Sequence, residues 1–175
     1  MRTGDIITFM WRITYSHVIA YFIAGIFALY VLNYKELFAT EEMSLLMRPV
    51  THPLVALGPF LQVFRGILLS LCLLPIRKFI LGEKHGFAIL GILVLGLSLI
   101  STIGATPGSF EGYIYTIIPP VNQIVGYAEA ILYILLFTGI LWVSYTYEKK
   151  WLNILFLILL VIISALSLMS YFSLR

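Results

Sequence analysis

Long apolar runs separated by short polar clusters recur along the whole of this 175-residue chain. A helix needs about 20 mostly apolar residues to cross the hydrocarbon of a bilayer. Five runs approach that length, at about 13–33, 54–74, 86–104, 120–145 and 151–172. The first lies between Arg12 and Lys35. It exceeds the roughly 7–15 apolar residues of a signal-peptide core and has no convincing small-x-small cleavage site, so it reads as a retained span. The fourth begins at Pro119-Pro120, a favourable helix start because the first turn does not need the N–H that proline lacks. The pattern predicts an all-α fold, a polytopic transmembrane bundle of five helices forming a single integral membrane domain over residues 1–175.

Composition agrees with the pattern. The chain is 61% hydrophobic and 11% charged, where soluble domains carry roughly 25% charged residues. The net charge of +3 is scattered between the apolar runs, which is not the basic patch of a nucleic-acid-binding protein. A single cysteine, Cys72, rules out intrachain disulfides, CxxC redox chemistry and multi-thiolate metal sites. Its place in an apolar run predicts a packing role.

Positive charge near span ends sets orientation. Arg2, Arg12, Arg77, Lys78, Lys84, Lys149 and Lys150 fall on one side, and Lys35, Arg48 and Arg175 on the other. This bias predicts a multi-pass protein of the cell membrane with its N-terminus in the cytoplasm and its C-terminus outside. Trp11, Trp142 and Trp151 fall near the same predicted cytoplasmic interface, where indole rings anchor at headgroup depth. Ala20, Ala24 and Ala28 form a small-residue ridge on the first span, and Gly126 with Ala130 repeats it on the fourth. Such ridges let helix backbones approach closely, inside the monomer or between copies. The third and fifth spans, almost free of strongly polar residues, are expected on the lipid-facing perimeter.

Two charges interrupt this pattern. Arg65 lies about 16 Å along the second span and Glu129 about 14 Å along the fourth, counting 1.5 Å per residue from the outer ends. Each costs roughly 2.5–3.5 kcal/mol near the bilayer centre unless it is paired or faces a polar cavity. Gln62 lies one turn outward from Arg65, and Asn122, Gly126, Glu129 and Tyr133 form a polar stripe at helical spacing. The inference is that the two stripes face one another, Arg65 paired with Glu129. Such a pair either fixes helix register or lines an outward-opening pocket with Gln62, Asn122 and Gln123 at its wall. The outer loops add Arg48 and His52 between the first two spans, and Glu111 in the segment TPGSFEGYIYTIIPP before the fourth. That segment either dips into the membrane or forms an ordinary loop.

Several chemistries find no support. His17, His52 and His85 fall near predicted interfaces, with His52 opposite the other two, so intrachain haem ligation is not expected. There is no HExxH, GxSxG or P-loop pattern, and no lysine within a span for a Schiff base. No cofactor or metal is expected. The middle of the chain, from Met47 to Thr116, carries Arg48-Pro49, His52-Pro53, Gly58-Pro59, Gln62, Arg65-Gly66, Pro75 with Arg77, and Pro107-Gly108-Ser109-Phe110-Glu111-Gly112-Tyr113. In these pieces it resembles an uncharacterised family of small polytopic bacterial membrane proteins, which implies a bacterial inner-membrane protein and no particular activity.

The function these features predict is binding or passing a small or lipid-derived anionic ligand in an outward-facing intramembrane pocket. A membrane enzyme acting on a lipid or isoprenoid, with Glu129 or Glu111 as acid/base, is the alternative, and a structural subunit of a membrane complex is the third. Membrane lipids, a second copy or a membrane partner protein are the expected partners.

Overall fold

The computed structural model describes residues 3–99 and 106–175. Among them every regular element is helical: α1 (Thr3–Tyr30), α2 (Tyr34–Leu37), α3 (Glu41–Ser44), α4 (Pro53–Ala56), α5 (Gly58–Leu73), α6 (Arg77–Gly82), α7 (Gly86–Leu99), α8 (Phe110–Tyr115), α9 (Pro120–Tyr147) and α10 (Lys150–Ser173). Among the described residues four helical stretches are long and apolar enough to cross a membrane: Ile6–Tyr30, Gly58–Gly82, Pro120–Tyr147 and Lys150–Ser173. The chain is therefore an α-helical bundle of the membrane type. The expected third span appears as α7, which is shorter than a full span over its described part, and residues 100–104 of that span lie outside the described residues.

The central helix is α1. Of its spanning window 56% is buried, against 17–22% for the other three. One side contributes Phe9, Ile13 and Ala20 to a core with Leu73, Ile80, Leu90, Phe137 and Leu141. The other contributes Tyr15, Val18 and Ile19 to a second core with Leu160 and Ile163 of α10. Apolar residues all round a helix are what a surrounded position requires. The ridge Ala20, Ala24 and Ala28 is buried within the monomer.

Packing is close where α5 crosses α1. A Cβ placed on Gly66 would stand 3.0 Å from the Thr14 Cα and 3.3 Å from its carbonyl oxygen. Lipid tails are as apolar as the side chains, so helices in a membrane associate through such close contact and through interhelical hydrogen bonds. Ser167 of α10 supplies one of these bonds, accepting from Phe60 N–H (3.2 Å) and donating to the Ala56 carbonyl (2.6 Å). It thereby spans the break between α4 and α5.

Several boundaries differ from expectation. α1 begins well before Ile13, so Arg12 lies inside the helix instead of flanking it. The second span passes Leu74, because Pro75 tightens Leu74–Ile76 to a 3-10 turn without ending the rod, which resumes as α6. Arg77 is consequently carried into the bundle and is 5% exposed. Cys72, expected to pack inside, is exposed.

Candidate functional site

The bundle has two ends. One carries the α1–α5 connection with α2, α3 and α4 (the loop end). The other carries the α6–α7 and α9–α10 turns (the turn end). A cavity of about 770 Å³ opens at the loop end between α1, α10 and the short helices. Its walls are mainly apolar, including Phe22, Leu46, Val50, Leu54, Val55 and Leu166. Polar groups are few: Tyr21, Tyr34, Arg48, Glu129, Ser167 and Ser170. A second cavity of about 290 Å³ lies between α2, α7 and α9, with Asn122, Gln123 and Tyr127 in its lining.

Glu129 and Tyr34 line both cavities. The Tyr34 hydroxyl donates to Glu129 Oε2 at 2.5 Å. This contact follows from how α1 ends. Asn33 adopts a left-handed conformation (φ 53°), which a short polar side chain tolerates, and the reversal brings Tyr34 back over α9. Burial, and then the bond to Glu129, push the Tyr34 phenol well above its ordinary range, so it remains a neutral donor to the carboxylate.

The expected Arg65–Glu129 pair is not formed. Among the described residues the one ion pair within 4.0 Å joins Arg12 to Glu148. The reason is that α1 packs against both α5 and α9 and takes the polar groups of each. His17 Nε2 meets Gln62 Oε1 at 3.0 Å, and His17 Nδ1 meets the Tyr133 hydroxyl at 2.6 Å. A neutral ring carrying its proton on Nε2 satisfies both contacts, donating to Gln62 and accepting from Tyr133. His17 is 2% exposed in the middle of α1, not near an interface. Arg65 is exposed on α5, lines neither cavity, and reaches His17, Tyr21 and Tyr133 only through its charge.

The remaining expected site residues divide. Arg48 is exposed and lines the large cavity. His52 caps α4, its Nδ1 accepting from Leu54 N–H at 3.1 Å while Nε2 lies 3.2 Å from Arg48 Nη1. Asn122 lines the smaller cavity. Gln123, also in that lining, is 2% exposed and committed to the preceding loop. It accepts from Gly108 N–H (3.2 Å) and donates to the Ile118 carbonyl (2.9 Å), while Tyr127 holds the Gly108 carbonyl (2.9 Å). Glu111 lines neither cavity, and its buried Oε2 has no hydrogen-bond partner among the described residues. Gln123→Leu should therefore speed amide-hydrogen exchange at Gly108 by roughly tenfold, the equivalent of losing a hydrogen bond worth about 1.5 kcal/mol, with little change in α1 or α5. Hydrogen-exchange mass spectrometry reads this directly, and unchanged protection would refute the anchoring role.

Sequence reasoning missed His17, Tyr133 as its partner, Tyr34 and Tyr21. A histidine inside an apolar run was the available signal for His17. Tyr34 carried none, because its role depends on the reversal at Asn33. Among the described residues no group of three or more His, Cys, Asp or Glu side chains is arranged to hold a metal ion. Comparison with protein-family models, curated proteins and solved structures finds no match to this chain.

Proposed function

We propose that this chain is a multi-pass cell-membrane protein whose 770 Å³ cavity binds, or passes, one lipid-derived amphiphile carrying an anionic group. The cavity itself carries the proposal. Its volume lies in the roughly 300–1,000 Å³ range of ligand sites, and apolar walls with a few placed polar groups are typical of them. The apolar body of the ligand lies against Leu54, Val55 and Leu166, its anionic group meets Arg48, and the Tyr34–Glu129 pair offers a hydrogen-bonding end. By the bias of Lys and Arg, the loop end faces outward.

Gly25 provides the test. It lines the cavity, and a Cβ placed on it meets no atom within 4 Å. Gly25→Phe fills the cavity without disturbing a helix contact. Titrated with a dansyl-labelled fatty acid in detergent, the wild-type protein should bind saturably and Gly25→Phe at least tenfold more weakly. Gly96→Phe, at a glycine equally open but outside both cavities, should bind as wild type. Arg48→Gln should weaken binding by up to about fivefold, because an exposed ion pair is worth no more than about 1 kcal/mol. Undiminished binding by Gly25→Phe would sink the proposal.

The Tyr34–Glu129 hydrogen bond favours one second reading, a membrane enzyme in which Glu129 moves a proton on a lipid or isoprenoid bound in the same cavity. In that case Glu129→Gln abolishes turnover of the substrate while leaving its binding within a few-fold.

A further inference from the structure

The turn end of the bundle contains a concentration of unsatisfied donors that the cavity does not use. Six buried side-chain polar atoms lack a hydrogen-bond partner among the described residues, and four of them are here: Arg12 Nε, Arg12 Nη1, Arg77 Nη1 and Ser16 Oγ. Arg12 is 6% exposed and Arg77 5%. Each guanidinium offers five N–H donors and accepts nothing. Donors alone call for an acceptor, and two positive charges favour a negative one.

What surrounds them does not meet that need. Arg12 lies over the Tyr145 ring, 4.2 Å from its centroid, and Arg77 lies 6.0 Å from the centroid of Phe9. Cation–π contact returns about 0.5–2 kcal/mol, whereas an uncompensated buried charge costs several. Among the described residues the nearest carboxylate, Glu148 Oε1, is 4.0 Å from Arg12 Nη1, too far for a hydrogen bond, and that side chain is 71% exposed. Phe9 stands one turn before Arg12 on the same helix, so Arg77 of α6 comes up beside the stretch of α1 that carries Arg12. Two planar forks on neighbouring helices match the several oxygens of a phosphate better than any single carboxylate.

We propose that Arg12, lying over Tyr145, and Arg77, lying beside Phe9, form a binding site for a phosphate group, either the headgroup of an anionic lipid or a soluble phosphate compound. The site lies at the opposite end of the bundle from the 770 Å³ cavity and does not depend on it. Charge bias places it on the cytoplasmic side, where basic pockets between spans take up anionic headgroups. Glu148 competes with the phosphate for Arg12.

The experiment uses the full chain, delipidated in a neutral detergent, and follows its thermal unfolding while dioctanoyl-phosphatidylglycerol, dioctanoyl-phosphatidylcholine or inorganic phosphate is titrated. Phosphatidylglycerol should raise the unfolding midpoint of the wild type, and phosphatidylcholine should do so at least tenfold more weakly. In Arg77→Gln the half-saturating concentration should rise at least tenfold. In Glu148→Gln, which removes only an exposed carboxylate, it should fall. Gly96→Phe, outside both cavities, should leave it unchanged. Stabilisation by phosphatidylglycerol alone identifies the ligand as a headgroup, and equal stabilisation by inorganic phosphate identifies a soluble one. Equal responses of the wild type and Arg77→Gln, or of the two lipids, overturn the proposal. Should Arg77→Gln fail to fold, the decision rests on Glu148→Gln, where an unchanged or weakened response overturns it.

Discussion

Gly66→Leu is expected to cost at least about 3 kcal/mol and to part α5 from α1, at the upper end of what overpacking a well-packed site costs. Even the single Cβ of alanine would stand 3.0 Å from the Thr14 Cα and 3.1 Å from its Cγ2. A rotamer change moves the methyl away, but the Cα belongs to a helix, so α5 itself has to shift. Alanine would recover about 0.8–1.0 kcal/mol of helix propensity, leaving Gly66→Ala with a net loss of about 0–2 kcal/mol. Leucine adds bulk without any further propensity gain. Gln62 lies one turn from Gly66, so its contact with His17 (3.0 Å) should fail at the same time. Gly25→Ala, into open space, should stabilise by up to about 1 kcal/mol. SDS titration in mixed micelles, followed by far-UV circular dichroism, gives both values. Leucine tolerated at Gly66 would contradict the close crossing.

His17→Leu is the second large effect. The substitution keeps an apolar side chain of similar bulk in a position only 2% exposed, but removes both partners from Gln62 and Tyr133. Two fully buried polar groups left unsatisfied would cost about 1–3 kcal/mol each in soluble proteins, and Gln62 and Tyr133 are only half-buried. Interhelical hydrogen bonds measured inside membranes average only about 0.6 kcal/mol and reach about 1.7. The membrane value governs here, because the partly unfolded chain in lipid also finds partners, so the expected loss is about 2 kcal/mol. A double-mutant cycle separates the two contacts. Tyr133→Phe and Gln62→Leu should each show coupling to His17→Leu, whereas Arg65→Leu, outside this chain of bonds, should add independently. Strong coupling of Arg65 to Glu129 instead would restore the direct ion pair that the geometry excludes.

The spans themselves were readable from the sequence because the need to shield backbone polar groups from lipid acts within one helix at a time. Expected ranges of 120–145 and 151–172 became Pro120–Tyr147 and Lys150–Ser173. The first two spans differ from expectation at their ends. The sequence places Arg12 beside the first span and ends the second near residue 74. In the bundle, helices α1 and α6 continue through these residues, which places Arg12 and Arg77 among neighbouring rings. The polar stripe of α9 was legible as a stripe. Its partners were not, because depth along a helix does not say which helix stands alongside.

Helicity, long apolar spans and the choice of polar residues available for a site were determined by the sequence alone, since each depends on the solvent demand on a short stretch of chain. Which polar groups meet was decided by the tertiary structure. The two-sided apolar surface of α1 puts that helix between α5 and α9, and Gly66 lets it come close enough for His17 to intercept Gln62 and Tyr133. Glu129 is thereby left to Tyr34 at the wall of a cavity, and Arg65 to the outer face of α5. Hydrogen bonds reach only about 3 Å, so small differences in packing reassign partners that sequence spacing leaves equivalent.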